Sequence, residues 1–278
     1  MAAVKPLGLH SLGPVHPPKV EKRAIKPSIA RHVNIRVKDP LDHDAPAILH
    51  EPRSYNVTEA KESAVVLVSG AGGGVSGPAG IYPSLADKFA LLLGIPCIRL
   101  DYRQPARTEY CSADIVASFT YLREHFNSSG FVLVGWSFGG SPCFTVAAQV
   151  ERVRGVATVA SQTAETSGIR KLSPRPLLLL HGTDDMVLSP TCSETLYREY
   201  GNNGPRELKL LPGDDHGLTK HAPEVERMIF EFAAKTLGFE KLLDQSTLDQ
   251  AGEDLVESRD ERIREMGEGH DLEGGERL

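Results

Sequence analysis

The segment 135–139 has the sequence Gly-Trp-Ser-Phe-Gly, so Ser137 is flanked by a glycine two positions to either side. It follows the apolar run 131–134 and precedes small residues that open a predicted helix. A strand, a sharp turn and a helix in this order can hold a serine hydroxyl above the edge of a sheet, with glycines where strand and helix pass closely. A hydroxyl held in this way can attack a carbonyl carbon if a neighbouring base takes its proton. The segment therefore predicts Ser137 as the nucleophile of an acyl-transfer reaction.

Candidates for the base and the acid follow two later apolar runs. The leucines 177–180 continue into His-Gly-Thr-Asp-Asp, and the run 208–211 continues into Pro-Gly-Asp-Asp-His-Gly. Because both motifs stand at the carboxyl ends of predicted strands, they belong to the edge where open parallel sheets build their sites. The order serine, acid, histidine is typical of a nucleophile on a strand-to-helix turn. We therefore predict His216 as the base, and either Asp185 or Asp184 as the acid.

The elements that must position these residues follow from the apolar pattern. Continuous apolar runs predict buried strands, and apolar residues at helical spacing predict helices between them. The segments 31–37 and 47–51 predict an antiparallel pair at the start of the sheet. We count about eight strands alternating with helices, which indicates a mostly parallel sheet with helices on both faces.

The three motifs together resemble those of the α/β-hydrolase superfamily, over about residues 30–238. The chain is most similar to the lidless branch that includes dienelactone-hydrolase-like proteins and small carboxylesterases. The resemblance implies the α/β-hydrolase fold and, in the His-Gly-x-x-Asp motif, Asp185 as the acid. Only some sixteen residues separate the strand ending near Ala160 from the strand beginning at Leu177, so we expect no large cap domain.

An oxyanion hole needs two backbone N–H groups aimed at the developing negative charge. One is expected from Phe138, directly after the nucleophile. By resemblance, the other comes from Ala71, with Gly72 as the alternative, in a glycine-rich loop where Ser69 replaces a histidine that the family often has. We also predict Gly72, Trp136 and Tyr102 as candidates for the substrate pocket.

The composition excludes several other classes of protein. The net charge of the 278 residues is −6, and thirteen acidic against five basic residues lie in 240–278, so no basic face for nucleic acid is indicated. No apolar run is long enough to span a bilayer, and prolines interrupt the first twenty residues, so we expect no membrane partner and a cytoplasmic location. The four cysteines lack the spacing of a zinc site or a disulfide framework.

The chain divides into three predicted parts. Residues 1–29, rich in proline and lysine, predict a flexible arm; residues 30–238 predict the catalytic domain. Residues 239–278 predict an acidic tail without fixed structure, in which a short helix near Glu253 to Met266 is the one exception that the pattern allows.

These observations predict a serine hydrolase that cleaves a small ester, thioester or lactone through an acyl-enzyme, without a metal or an organic cofactor. The expected partner is a small-molecule acyl substrate, and the sequence leaves the oligomeric state open. Two alternatives are a non-catalytic binding or scaffold protein that has kept the fold, and an acyltransferase. Among the other histidines, His181 is expected to stabilise its loop and His221 to be exposed.

Overall fold

A computed structural model describes residues 28–255 of the chain, and its centre is a sheet of eight strands. The strands occur in the order β1-β2-β4-β3-β5-β6-β7-β8. Strands β3 to β8 run parallel to one another, and β1 and β2 add an antiparallel pair at one edge. The bounds are β1 Ser28–Val37, β2 His43–Pro52, β3 Ser63–Val68, β4 Cys97–Leu100, β5 Gly130–Trp136, β6 Val153–Val159, β7 Leu177–Gly182 and β8 Arg206–Leu211.

Helices cover both faces of this sheet. They are α1 Tyr82–Lys88, α2 Thr108–Phe126, α3 Gly140–Gln149, α4 Thr191–Tyr200, α5 Ala222–Thr236 and α6 Gln245–Ala251. Alternate residues of the central strands enter two separate cores: Val66 joins the core beneath α2, α3 and α4, and Val65 joins the core beneath α1, α5 and α6. None of the helices within residues 28–255 combines the length and apolar character of a bilayer span.

The predicted fold class is confirmed, since an eight-stranded, mostly parallel sheet lies between two helical layers. The connection from β6 to β7 contains one 3-10 turn, Ser167–Lys171, so the described chain has no large cap there. The last two residues of the predicted arm 1–29, Ser28 and Ile29, belong to β1, and residues 1–27 lie outside the described part.

The prediction of an acidic tail without fixed structure is wrong for residues 239–255. This segment contains α6 and buries Phe239, Ala251 and Leu255 on the α1 side of the domain. Hydrogen bonds also hold it: the Lys88 Nζ donates to the Ala251 carbonyl at 2.8 Å, and the Leu255 N–H donates to the Ser84 hydroxyl at 2.9 Å. A few apolar side chains and backbone groups therefore dock a segment whose average composition is polar. The helix expected near 253–266 falls mostly on residues outside the described part.

Candidate active site

Ser137 lies at a sharp turn between β5 and α3. Its φ angle is 53°, in the left-handed region that costs a non-glycine residue conformational energy. The flanking glycines are required by space, because a Cβ on Gly135 would lie 2.6 Å from the backbone of Gly139, and a Cβ on Gly139 would lie 2.6 Å from the Ser69 carbonyl. The strand and the helix thus pass as closely as the Gly-x-Ser-x-Gly pattern predicts.

Two loops at the same edge of the sheet bring His216 and Asp185 together. The His216 Nδ1 lies 2.7 Å from the Asp185 Oδ2, and both side chains are buried. Because an ionised carboxylate only accepts hydrogen bonds, the proton of the neutral ring is on Nδ1 and the lone pair is on Nε2. Within residues 28–255 this buried Nε2 has no hydrogen-bond partner. The ring is therefore prepared to accept a proton at Nε2.

The Asp185 carboxylate is held in its ionised form. Its Oδ1 accepts hydrogen bonds from the backbone N–H groups of Val187 and Leu188, at 2.8 and 2.9 Å, and its Oδ2 lies 3.1 Å from the His181 Nε2. Burial raises the pKa of Asp185, but the hydrogen bonds from His181, His216 and Leu188 outweigh burial and hold the pKa well below its ordinary value.

The other candidates for acid and base make different contacts in the structure. Asp184 is exposed, and its Oδ1 accepts a hydrogen bond from the Thr183 hydroxyl at 3.2 Å instead of one from His216. His181 is buried, with its Nδ1 2.7 Å from the Ser193 hydroxyl. The His221 Nδ1 lies 2.8 Å from the Asp214 carboxylate, so it is a loop contact.

The loop that carries His216 is hydrogen-bonded to Trp136, the residue that precedes Ser137. The Trp136 indole N–H donates to the His216 carbonyl at 3.1 Å, and the two rings lie 5.7 Å apart. Asp214 accepts from the Lys220 N–H at 3.0 Å, and Asp215 accepts from the Gly217 N–H at 3.1 Å. These contacts position the imidazole through backbone atoms on both sides of it.

The glycine-rich loop packs against the nucleophile turn and is stabilised from β4. The Asp101 carboxylate accepts from the Gly74 N–H at 2.8 Å, and the Tyr102 hydroxyl donates to the Ser69 carbonyl at 3.1 Å. Ala71 is half-buried and Gly72 is buried in this loop. The Tyr102 ring also makes an edge contact with Phe138, with ring centroids 6.0 Å apart. The two predicted oxyanion segments thus lie side by side.

Two of the predicted pocket residues, Trp136 and Tyr102, support the loops around the site. Trp136 is 1% exposed and Tyr102 is 0% exposed, and Ser137 itself is only 2% exposed. The polar atoms of the two aromatic side chains donate hydrogen bonds to the carbonyl groups of His216 and Ser69. Their contact with a substrate stays a prediction.

One residue beside the site has no sequence motif that could have identified it. Gln162 follows β6, and its backbone N–H donates to the Ser137 carbonyl at 3.4 Å. Its side-chain amide donates to the Ser141 hydroxyl at 2.9 Å and to the Ala164 carbonyl at 3.2 Å, which fixes the amide across the start of α3. Among the described residues, no group of three or more His, Cys, Asp or Glu side chains is arranged to hold a metal ion.

Comparisons with known proteins agree with this architecture. The model of a family described as having the alpha/beta hydrolase fold matches residues 63–190. Est1E from Butyrivibrio proteoclasticus superposes with a TM-score of 0.60 at 15% identity, over 74% of this chain and 99% of that one. A dienelactone hydrolase from Anabaena variabilis superposes with a TM-score of 0.61 at 16% identity, over 74% of this chain and 96% of that one.

A third solved structure, an alpha-beta serine hydrolase homologue from Coxiella burnetii, has a TM-score of 0.57 and 17% identity, over 72% of this chain and 96% of that one. No curated protein matches the sequence. At these identities the structural similarity establishes the fold, and the chemistry has to be argued from the residues of the site.

Proposed function

We propose that this chain belongs to the α/β-hydrolase superfamily and is a serine hydrolase that cleaves a small ester, thioester or lactone through an acyl-enzyme. The observation that carries the proposal is the His216 ring: its Nδ1 is 2.7 Å from a buried carboxylate and its buried Nε2 is unpaired within the described residues. The ring also stands beside Trp136, which precedes the strained Ser137.

In the proposed mechanism the Ser137 hydroxyl attacks the carbonyl carbon while His216 takes the hydroxyl proton at Nε2. Asp185 holds the ring in the required tautomer and stabilises the imidazolium that forms. The backbone N–H groups of Phe138 and Ala71 stabilise the tetrahedral oxyanion, and each such donor contributes about 10²–10³ in rate. His216 then gives its proton to the leaving group, and water, deprotonated by the same ring, releases the acyl group as an acid.

The architecture around the site supports a small substrate. The connection between β6 and β7 contains one 3-10 turn and no large cap, which favours a small substrate over one that a cap domain would have to hold. The Anabaena protein is named a dienelactone hydrolase, which is consistent with a lactone as one of the proposed substrate classes. We also propose a cytoplasmic location and a small-molecule acyl substrate as the chief partner.

A fluorophosphonate probe tests this proposal directly, because it labels a serine only when a base has activated it. We expect the full chain to be labelled and to hydrolyse p-nitrophenyl esters, with both signals lost in Ser137→Ala. Ser118→Ala is the matched control: this buried serine of α2 donates to the Ile115 carbonyl, on an element that carries none of the proposed residues.

Two outcomes would overturn the proposal. A folded chain that never takes up the probe would favour a non-catalytic binding or scaffold protein. Labelling that persists in Ser137→Ala would move the nucleophile to another residue. If hydrolysis is observed, product analysis with an added alcohol or thiol then separates transfer to water from transfer to another acceptor.

A further inference from the structure

Strand β8 is the last strand of the sheet, and within residues 28–255 it pairs with β7 alone. Its sequence is Arg-Glu-Leu-Lys-Leu-Leu, in which Glu207 and Lys209 are exposed. Leu208 and Leu210 are only half-buried, although leucines of the inner strands are almost fully buried. Among the described residues, the strand thus has no neighbouring strand on its outer side to cover its backbone groups and apolar surface.

The direction of these backbone groups follows from the bonds to β7. The Leu177 N–H donates to the Pro205 carbonyl and the Thr183 N–H donates to the Leu211 carbonyl, each at 3.0 Å. In a regular parallel pair, every second residue directs its N–H and C=O toward the neighbouring strand. Residues 205, 207, 209 and 211 therefore face β7. The backbone groups of Arg206, Leu208 and Leu210 face outward.

This pattern is complementary to itself under a two-fold rotation. If a second β8 lies antiparallel with Leu208 on the axis, Leu208 faces Leu208 and Arg206 faces Leu210 of the second copy. Each of these is a hydrogen-bonded pair, since all of the residues direct their backbone groups outward. Glu207 then stands opposite Lys209 of the second copy in a close, non-hydrogen-bonded pair, so opposite charges meet twice.

The other edge of the sheet lacks this complementarity. Strand β1 has the sequence Ser-Ile-Ala-Arg-His-Val-Asn-Ile-Arg-Val, which contains Arg31 and Arg36 and no acidic residue. Arg31 is paired with Glu51 of β2 at 2.9 Å and Arg36 with Asp44 of β2 at 3.3 Å, and β1 has no acidic residue to stand opposite a cation of a second β1. The two edges therefore differ: the charges of β8 are complementary to a second β8, and those of β1 are not complementary to a second β1.

The groove beside β8 has the same balance of charge. It lies between β8 and α5, has a volume of about 720 Å³, and contains both cations and carboxylates. Lys209 and Glu224 approach to 3.8 Å in it, and Arg227 and Glu231 of α5 approach to 3.8 Å as well. Four cations and three carboxylates line this face, so two copies can approach each other with only a small excess of positive charge.

We propose that the chain forms a two-fold dimer in which β8 pairs antiparallel with β8 of a second copy, centred on Leu208, to make one continuous sheet. The charge and hydrogen-bond pattern of β8 carries this inference, which does not depend on the proposed hydrolase activity.

Light scattering coupled to size exclusion tests the dimer with the full chain, whose monomer mass is 30.2 kDa. We expect twice that mass at micromolar concentration. Lys209→Glu should weaken the dimer at least about tenfold, because it places like charges opposite Glu207. The double exchange Glu207→Lys with Lys209→Glu restores opposite charges and should restore the dimer. Arg36→Glu on β1 is the matched control and should leave the mass unchanged.

Cysteine cross-linking tests the register. A mixture of Glu207→Cys and Lys209→Cys chains should form an intermolecular disulfide, since the opposed Cα atoms are about 4.5 Å apart. Either variant alone should not, because identical positions are offset along the strands by more than a disulfide can bridge. A monomeric wild type, a dimer indifferent to Lys209→Glu, or cross-linking of one variant with itself would each overturn the proposal. If the charge variants misfold, the cross-linking result decides.

Discussion

Two of the buried contacts between an aspartate and a histidine in this domain have the same distance. The His216 Nδ1 is 2.7 Å from the Asp185 carboxylate, at the carboxyl edge of the sheet. The His50 Nδ1 is 2.7 Å from the Asp87 carboxylate, between β2 and α1. Distance and burial alone therefore do not distinguish a candidate catalytic pair from a structural one. The second ring nitrogen does.

In the pair of Asp87 and His50 every ring nitrogen is used. The Arg99 Nε donates to the His50 Nε2 at 2.9 Å, so His50 is neutral with its proton on Nδ1. Arg99 also donates to the Val75 carbonyl at 3.1 Å, and the Ser28 hydroxyl donates to Asp87 at 2.8 Å. This network joins β1, β2, β4 and α1. Both nitrogens of the His50 ring are therefore occupied, and neither has a lone pair available to accept a proton from a substrate.

The pair of Asp185 and His216 differs because its Nε2 is unpaired within the described residues and lies beside the strained nucleophile turn. A buried polar atom without a partner costs free energy, and such atoms are retained where a ligand or a reaction uses them. The comparison indicates that the available nitrogen, rather than the carboxylate contact, identifies the site.

The largest expected effect follows from exchanging each histidine in turn. His216→Ala should lower kcat/KM for a p-nitrophenyl ester by about 10⁴–10⁶, because the serine loses its base. His50→Ala should leave turnover of the folded protein nearly unchanged but should lower the free energy of unfolding by about 3–5 kcal/mol, since Asp87 and Arg99 lose the group between them. Steady-state kinetics and urea denaturation measure the two effects. Equal losses of turnover in the two variants would contradict a catalytic role for His216 and a structural role for His50.

Substitution of the aspartates tests the same comparison, with a smaller expected effect on turnover. Asp185→Asn should lower kcat by about 10⁴, because an amide at this position favours the wrong tautomer of His216. Asp184→Asn should have little effect, since this exposed carboxylate contacts the Thr183 hydroxyl instead. Asp87→Asn is the control for a buried carboxylate–histidine pair, and it should change stability more than turnover. A ranking with Asp184 above Asp185 would refute the assignment of the acid.

The sequence predicted the elements and the proposed nucleophile because both depend on local patterns. Continuous apolar runs identify strands that are buried on both faces, and the predicted runs 131–134 and 177–180 lie within β5 and β7. The glycines around Ser137 are also a local signal, because the close approach of strand and helix permits no side chain there.

Contacts between distant segments had no such signal. His50 and Asp87 are 37 positions apart, and nothing in the spacing of either indicates that they meet. The inward position of Tyr102 depends on the carbonyl of Ser69, 33 positions earlier. The docking of residues 239–255 depends on a lysine and a serine of α1. Each is decided by tertiary packing, which average composition and periodicity do not report.

The smallest expected effect is on the pH dependence of stability. His50 and Asp185 should contribute to the free energy of unfolding over different pH ranges. Burial lowers the pKa of His50 from its ordinary 6.5, although Asp87 opposes the shift. Below pH 6.5 the unfolded chain therefore binds a proton that the folded chain excludes, and stability is lost as the pH falls. For Asp185 the folded pKa lies below the ordinary 3.8, so its contribution is fully present above pH 3.8 and is lost as the pH falls further.

Urea denaturation at a series of pH values separates these ranges. The wild type minus His50→Ala difference in unfolding free energy should decline with a slope of at most about 1.4 kcal/mol per pH unit as the pH falls below 6.5, the limit for one proton. The wild type minus Asp185→Asn difference should decline as the pH falls below 3.8, because the unfolded chain then takes up a proton on this carboxylate that the folded chain excludes. A difference that stayed level below pH 3.8 would mean that the hydrogen bonds from His181 and His216 do not hold this carboxylate ionised.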